Sequence, residues 1–202
     1  AATLAQFRHL DIFKDFAETV EKIEKSVERW LRSTPESEAI FFDPVPYYHG
    51  SIWIPVFLRA IRENRIVIFD YQSFKSNEAR RHEFHPWFLR EHKHRWYVVG
   101  WLPAFENITP FALDRVTGEP ELTRRRFSNP KDFDPVAHFA YTVGMTVHRD
   151  KPIEEIILHF SLEQAPFFKS KPFHRLEEIL TDEPGLRVRM QLIPNFELVR
   201  KL

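Results

Sequence analysis

The chain contains no cysteine, so neither a disulfide framework nor a thiolate metal site is open to it. Only five glycines are spread over 202 residues, too few for a loop that brings backbone amides around a phosphate group. No Gly-x-Ser-x-Gly elbow and no His-Glu-x-x-His pair occurs, which leaves nucleophilic hydrolysis and zinc-dependent proteolysis without a signature. No apolar run approaches the roughly 20 residues a membrane helix needs. The first residues lack the basic, then apolar, then small-residue order of a signal peptide, so the cytoplasm is the expected compartment and no membrane partner is expected. Excess charge is missing too: 29 basic side chains balance 29 acidic ones, and any affinity for nucleic acid must come from a local patch. The chain opens on Ala1 rather than methionine, and a longer parent is expected.

What is present is ordinary for a folded protein, with 43% hydrophobic and 29% charged residues, except for twenty phenylalanines. Most of these are expected in cores, the rest as stacking surfaces. The length allows one or two domains. Residues 11–32 place Ile12, Phe16, Val20, Ile23, Val27 and Trp30 or Leu31 at steps of three and four, an amphipathic helix supported by Glu18–Lys22 and Glu21–Lys25 pairs. It serves either as a packed element or as a connector. Residues 33–51, with Pro35, Pro44, Pro46 and Gly50, read as an irregular connection, so 1–51 form a helical connector and linker. Pro55 opens a short helix with Val56, Phe57, Ala60 and Ile61 on its apolar stripe, ending before Asn64.

From Ile66 the hydrophobic period changes to two. Further strands are predicted at 81–89, 95–102, 109–116 and 122–127, with a turn at Glu91-His92-Lys93-His94. Short strands with tight separations predict a small curled barrel over 52–127. Residues 128–149 read as a linker. In 150–202 the order is strand (153–160), helix after the capping box Ser161-Leu162-Glu163-Gln164, strand (173–181), strand (186–193) and a last helix capped by Asn195. Leu186, Val188, Met190 and Leu192 share one face. This βαββα order lacks one strand of a split βαβ or ferredoxin-like unit, so the unit is expected to be truncated and strand 153–160 to have an unpaired edge. The fold class expected is α+β.

Six Lys or Arg and four His against three Glu lie between Lys75 and Arg95, a cluster suited to phosphates or, equally, to a solvated face. His82 and His85 fall on opposite faces of an extended segment, and His92 with His94 sits in a turn without a third ligand, so no metal and no cofactor is expected. The run Arg95-Trp96-Tyr97-Val98-Val99-Gly100, followed by Phe111-Ala112-Leu113-Asp114-Arg115-Val116, is the most specific feature. Trp96 and Tyr97 point to opposite faces of a strand, and at most one enters the core. Phe111, Leu113 and Arg115 would share a face, setting a guanidinium at the end of an apolar strip, where it pairs with a carboxylate such as Asp70 or with a bound phosphate.

This run closely resembles the tryptophan-tyrosine-leucine signature of the WYL domain, with Val98 in the place of the leucine. Phe69-Asp70-Tyr71-Gln72-Ser73-Phe74 and His85-Pro86-Trp87-Phe88-Leu89 resemble further WYL blocks, and residues 150–202 resemble the C-terminal extension that accompanies such domains. The resemblance implies an Sm-like barrel of SH3 type in a bacterial transcriptional regulator. Exposed basic and aromatic residues of that barrel bind a ligand, in some members single-stranded nucleic acid, and so control duplex DNA binding by an N-terminal winged helix-turn-helix. That domain is not among these residues, and the 11–32 helix would be the connector from it. Carried over by position, Tyr71, Ser73, Arg81 (or its neighbour Arg80), His85, Tyr97 and Arg115 would line the ligand surface, with Trp96 as the alternative to Tyr97 for stacking on a base. Thr109 stands where the family commonly has an arginine, removing one anionic contact. A homodimer and no enzymatic activity are expected; a ligand-free dimerisation module is the alternative reading, and an enzyme is the less favoured one.

Overall fold

The computed structural model describes residues 49–130, 132–170, 174, 177–181 and 184–201, together with the helical positions Lys22, Lys25, Ser26 and Arg29. All four of those N-terminal positions are exposed, as the polar face of an amphipathic helix requires. The apolar positions read for that helix, and most of the 33–51 connection, lie outside the described residues. The chain divides into two compact units, up to Asn129 and from Pro130 onward.

In the first unit a 3₁₀ turn, His49–Trp53, leads into helix α1, Ile54–Glu63. Pro55 occupies its first turn, where a missing N–H costs nothing, and Ile54, Phe57 and Ala60 turn one face inward. Asn64 ends the helix in the left-handed conformation (φ 50°), its N–H reaching back to the carbonyls of Ala60 and Ile61. Five antiparallel strands follow: β1 (Arg65–Tyr71), β2 (Arg80–His92), β3 (Arg95–Leu102), β4 (Asn107–Ala112) and β5 (Val116–Arg126). Their order in the sheet is β4-β3-β2-β1-β5. The core is built from Phe57, Val67, Phe69, Phe84, Val98, Phe111 and Leu113, with edge-on phenylalanine contacts 5.2–6.0 Å between centroids around Phe69 and Phe84.

β2 changes partner midway. Its residues up to Phe84 pair with β1, those from His85 onward pair with β3, and the register shifts between Pro86 and Phe88. Proline, with no N–H to give a ladder, is placed at the transition. Gly100 faces it on β3, so close that an added Cβ would lie 2.0 Å from the His85 carbonyl oxygen. The β2–β3 hairpin turns through Lys93 and His94, both at positive φ (51° and 63°), which suits the right-handed twist of the flanking strands.

The strand pairing does not show the expected small curled barrel as closed. Among the described residues β4 pairs only with β3 and β5 only with β1, leaving a bent sheet with two edges. The strand predicted at 109–116 is shorter than expected as well. Within that stretch Leu113–Arg115 form a 3₁₀ turn between β4 and β5, and Val116 opens β5.

The second unit holds helix α2 (Pro135–His138), β6 (Glu154–Phe160), α3 (Ala165–Ser170), β7 (Glu177–Thr181), β8 (Leu186–Leu192) and α4 (Phe196–Val199). The sheet order is β6-β8-β7, with β8 antiparallel to both neighbours. β6 pairs on one side only among the described residues. Leu186, Val188, Met190 and Leu192 are fully buried on the alternating face of β8. Much of the stretch read as a linker belongs to this core: Phe139, Thr142, Val143 and Met145 are buried. Point hydrogen bonds hold it there, since the Ile193 N–H donates to the Tyr141 carbonyl (2.8 Å) and the Glu197 carboxylate accepts from the Met145 and Thr146 N–H groups (2.9 and 2.8 Å).

Candidate functional site

Alternation along β1 turns Val67, Phe69 and Tyr71 to the core face and Asp70 to the other. The β1–β2 register then sorts the basic cluster, because residues opposite one another share a face. Arg80 lies across from Tyr71 and His82 across from Phe69, whereas Arg81 lies across from Asp70. Tyr71 is buried, edge-on to Phe111 at 4.7 Å between centroids. Burial pushes its phenol above the ordinary range, opposed by the nearby Arg115 guanidinium and the Ala112 backbone.

The 3₁₀ turn after β4 sends two adjacent side chains to different partners. Asp114 pairs with Arg95 (3.2 Å), and Leu113 enters the core. Arg115 lays its guanidinium over two rings, 5.2 Å from the Tyr71 centroid and 4.4 Å from that of Phe74. Its backbone carbonyl accepts from the Gln72 N–H (3.0 Å), which ties the turn to the loop following β1. Asp70, the carboxylate considered for Arg115 on sequence grounds, pairs with Arg81 instead (3.7 Å). Among the described residues Arg115 has no carboxylate partner, and its buried Nε has no hydrogen-bond acceptor. Stacking on aromatic rings is worth about 0.5–2 kcal/mol. A buried donor left without an acceptor costs about 1–3 kcal/mol. The two are comparable, so the rings alone do not satisfy this cation.

The seven residues singled out from the sequence do not form one surface. Tyr71 and Arg115 are together, and Tyr97 is near enough to Tyr71 to influence its ionisation. Ser73 is a turn former beside them: its hydroxyl accepts from the Lys75 N–H (3.2 Å) and its carbonyl from the Ser76 N–H (3.1 Å). Arg81 points to the opposite face of the sheet, between Glu121 (2.9 Å) and Asp70. His85 is on that face too, stacked on Phe127 at 5.0 Å with rings 9° apart and beside the Arg125–Glu83 pair (2.6 Å). Trp96 packs against the core and is not a free platform. Phe74, against the Arg115 guanidinium, was not singled out, and of the two alternatives Arg81 and Arg80 it is Arg80 that lies on the face of Tyr71. The alternation of β2 carried this information, but a register across the 72–79 loop is needed to use it. Among the described residues no three His, Asp or Glu side chains gather as a metal site, and no helix is long and apolar enough to cross a membrane.

His82 and His85 on β2 are partly buried, which favours their neutral forms and lowers their pKa; Arg80 adds to this at His82 and Arg125 at His85, with Asp70 and Glu83 opposing. A lowered folded pKa means the unfolded chain binds more protons below about 6.5. The stabilisation is therefore complete above that pH and is lost as pH falls through the folded values. The urea midpoint of the first unit should drop between pH 7.5 and 5.5, and the drop should shrink in the His82→Asn/His85→Asn double variant. A midpoint rising on acidification would contradict this assignment.

Residues 54–118 match the WYL domain family, and the chain thus carries a WYL domain across α1, β1 to β4 and the start of β5. No curated protein matches the chain significantly. Solved structures similar to it include the proteasome accessory factor B/C (PafBC) of Arthrobacter aurescens, 21% identical with a TM-score of 0.40, covering 68% of this chain and 21% of that one. A CRISPR Cas-related protein is 14% identical with a TM-score of 0.42, covering 71% of this chain and 42% of that one. The chain spans about a fifth and about two fifths of the lengths of these two proteins.

Proposed function

We propose that the chain is the ligand-sensing part of a cytoplasmic, DNA-binding transcriptional regulator, and that its ligand is anionic, with single-stranded nucleic acid the favoured class. The observation that carries this reading is Arg115: a guanidinium held over Tyr71 and Phe74, without a carboxylate partner among the described residues and with a buried, unsatisfied Nε. Arg80, on the face of Tyr71, also has no carboxylate partner among the described residues and supplies a second positive charge. The domain match supports the regulatory role. An SH3-type, Sm-like arrangement is part of the same reading, supported by the helix, the five antiparallel strands and the 3₁₀ turn between β4 and β5. So is a ferredoxin-like C-terminal unit, supported by β8 lying between the two strands that α3 connects. The reading is of a binding module rather than an enzyme, acting as a symmetric pair with two DNA-reading domains on related half-sites. Light scattering that gives a monomer mass for the full-length protein over a wide concentration range would remove the pairing.

The test is a titration of fluorescently labelled single-stranded DNA at two salt concentrations. Arg115→Gln should weaken binding about tenfold or more, the scale of a charge-assisted hydrogen bond. The log–log salt slope should fall by about 0.7, one phosphate contact on a single strand. Arg81→Gln, which removes a cation already paired with Glu121 and Asp70, should change binding little. Equal binding by Arg115→Gln and the parent would rule this site out.

A further inference from the structure

Phe74 is one of two strongly exposed aromatic side chains among the described residues of the first unit, 79% exposed against 66% for Phe105, yet its position is built rather than loose. One ring face is covered by the Arg115 guanidinium at 4.4 Å, which itself lies over Tyr71. The loop that carries it is closed by its own hydrogen bonds. Besides the two made by Ser73, the Ser76 hydroxyl accepts from the Glu78 N–H (3.2 Å) and donates to the Glu78 carbonyl (3.0 Å), and the Gln72 amide donates to the Asn77 carbonyl (3.2 Å). Gln72 also ties the loop to the Arg115 carbonyl. Exposing a phenylalanine forgoes about 1.5–3 kcal/mol of burial. Packing does not account for it, since a polar residue would serve the loop equally well.

Resting on the site reading above, we infer that Phe74 is the specificity-determining residue of the site, a stacking platform for a nucleobase whose adjacent phosphate meets Arg115. The order Tyr71, guanidinium, Phe74, base forms one continuous stack. Arg115 alone attracts any anion. Phe74 adds affinity only for an anion that carries a flat ring, and so separates nucleotides from inorganic phosphate and carboxylates. Arg115 also draws electron density from the covered ring face, and its charge reaches a phosphate only at the edge of the stack, which places base and phosphate side by side.

The probes are a labelled thymidine decamer and an abasic decamer of the same length, each titrated against the parent and against Phe74→Ala, Phe74→Trp and Arg115→Gln. The parent should bind the thymidine decamer at least fivefold more tightly than the abasic one, the lower end of what stacking on an aromatic side chain supplies per base. Phe74→Ala should abolish most of that ratio while leaving abasic binding within about twofold, and Phe74→Trp should keep or raise it. Arg115→Gln should weaken both decamers. Phe74→Ala that retains the parent's ratio, or that weakens both decamers equally, overturns the platform and leaves the Arg115 site standing. A parent that binds neither decamer overturns the site reading, and this inference with it.

Discussion

Gly100→Ala is expected to destabilise the first unit by at least about 3 kcal/mol, the upper range for forcing extra volume into packed structure. The added Cβ would lie 2.0 Å from the His85 oxygen and 2.9 Å from the His85 carbonyl carbon and the Pro86 Cα, all backbone atoms. A flexible side chain could swing away; a strand backbone cannot do so without breaking its ladder. Here that ladder is the point where β2 leaves β1 for β3, so the shift would open both halves of the sheet. Gly118→Ala is the informative control. Its Cβ would meet nothing within 4 Å, and the cost comes only from a left-handed φ of 74°, about 1–2 kcal/mol. Denaturant unfolding followed by fluorescence of Trp53, Trp87, Trp96 and Trp101 measures both. If Gly100→Ala unfolds at the parent's midpoint, the close approach of β2 and β3 is not real.

Nothing in the sequence around Gly100 announces this role, and the reason extends to the site. Strand identity is a local property: β1 is legible from its two-residue period, α1 from Pro55 and Asn64, α4 from its cap Asn195. Pairing is not local. Whether Arg80 or Arg81 accompanies Tyr71 depends on how many residues the 72–79 loop absorbs, and a one-residue slip exchanges the faces of every side chain on β2. Arg81 and His85 were assigned to the ligand surface and lie on the opposite face for this reason. The partner of Arg115 was equally undecidable, since Asp70 and Asp114 are both plausible neighbours until register gives the first to Arg81 and the 3₁₀ turn gives the second to Arg95. Tyr71 and Arg115 themselves were legible, through the blocks of sequence that surround them. The region 139–146 illustrates a different limit. It has no hydrophobic period because single hydrogen bonds from distant residues hold it, and such contacts leave no pattern in the residues they hold.

The strongest of those contacts gives the second large effect: Asn195→Ala should cost about 3–5 kcal/mol. Asn195 is 5% exposed and uses its side chain completely. Its Nδ2 donates to the carbonyls of Val143 (3.0 Å) and Thr146 (2.9 Å), and its Oδ1 accepts from the Leu198 N–H (2.8 Å) as the cap of α4. Alanine removes all three bonds and leaves buried backbone groups without partners, each worth about 1 kcal/mol or more. A unit the size of Pro130–Leu202 has roughly 4–11 kcal/mol in total, at about 0.05–0.15 kcal/mol per residue. The loss is therefore comparable with the whole. Asn195→Asp separates the two jobs of this side chain. Aspartate caps a helix as well as asparagine does. It also turns the two donors into an acceptor facing two carbonyl oxygens, so a mere cap would tolerate it and this bridge would not. Hydrogen exchange read by mass spectrometry should show protection lost over 139–146 and 186–199 in both variants. Protection kept by Asn195→Asp would reduce Asn195 to a helix cap and leave the packing of 139–146 to its buried side chains alone.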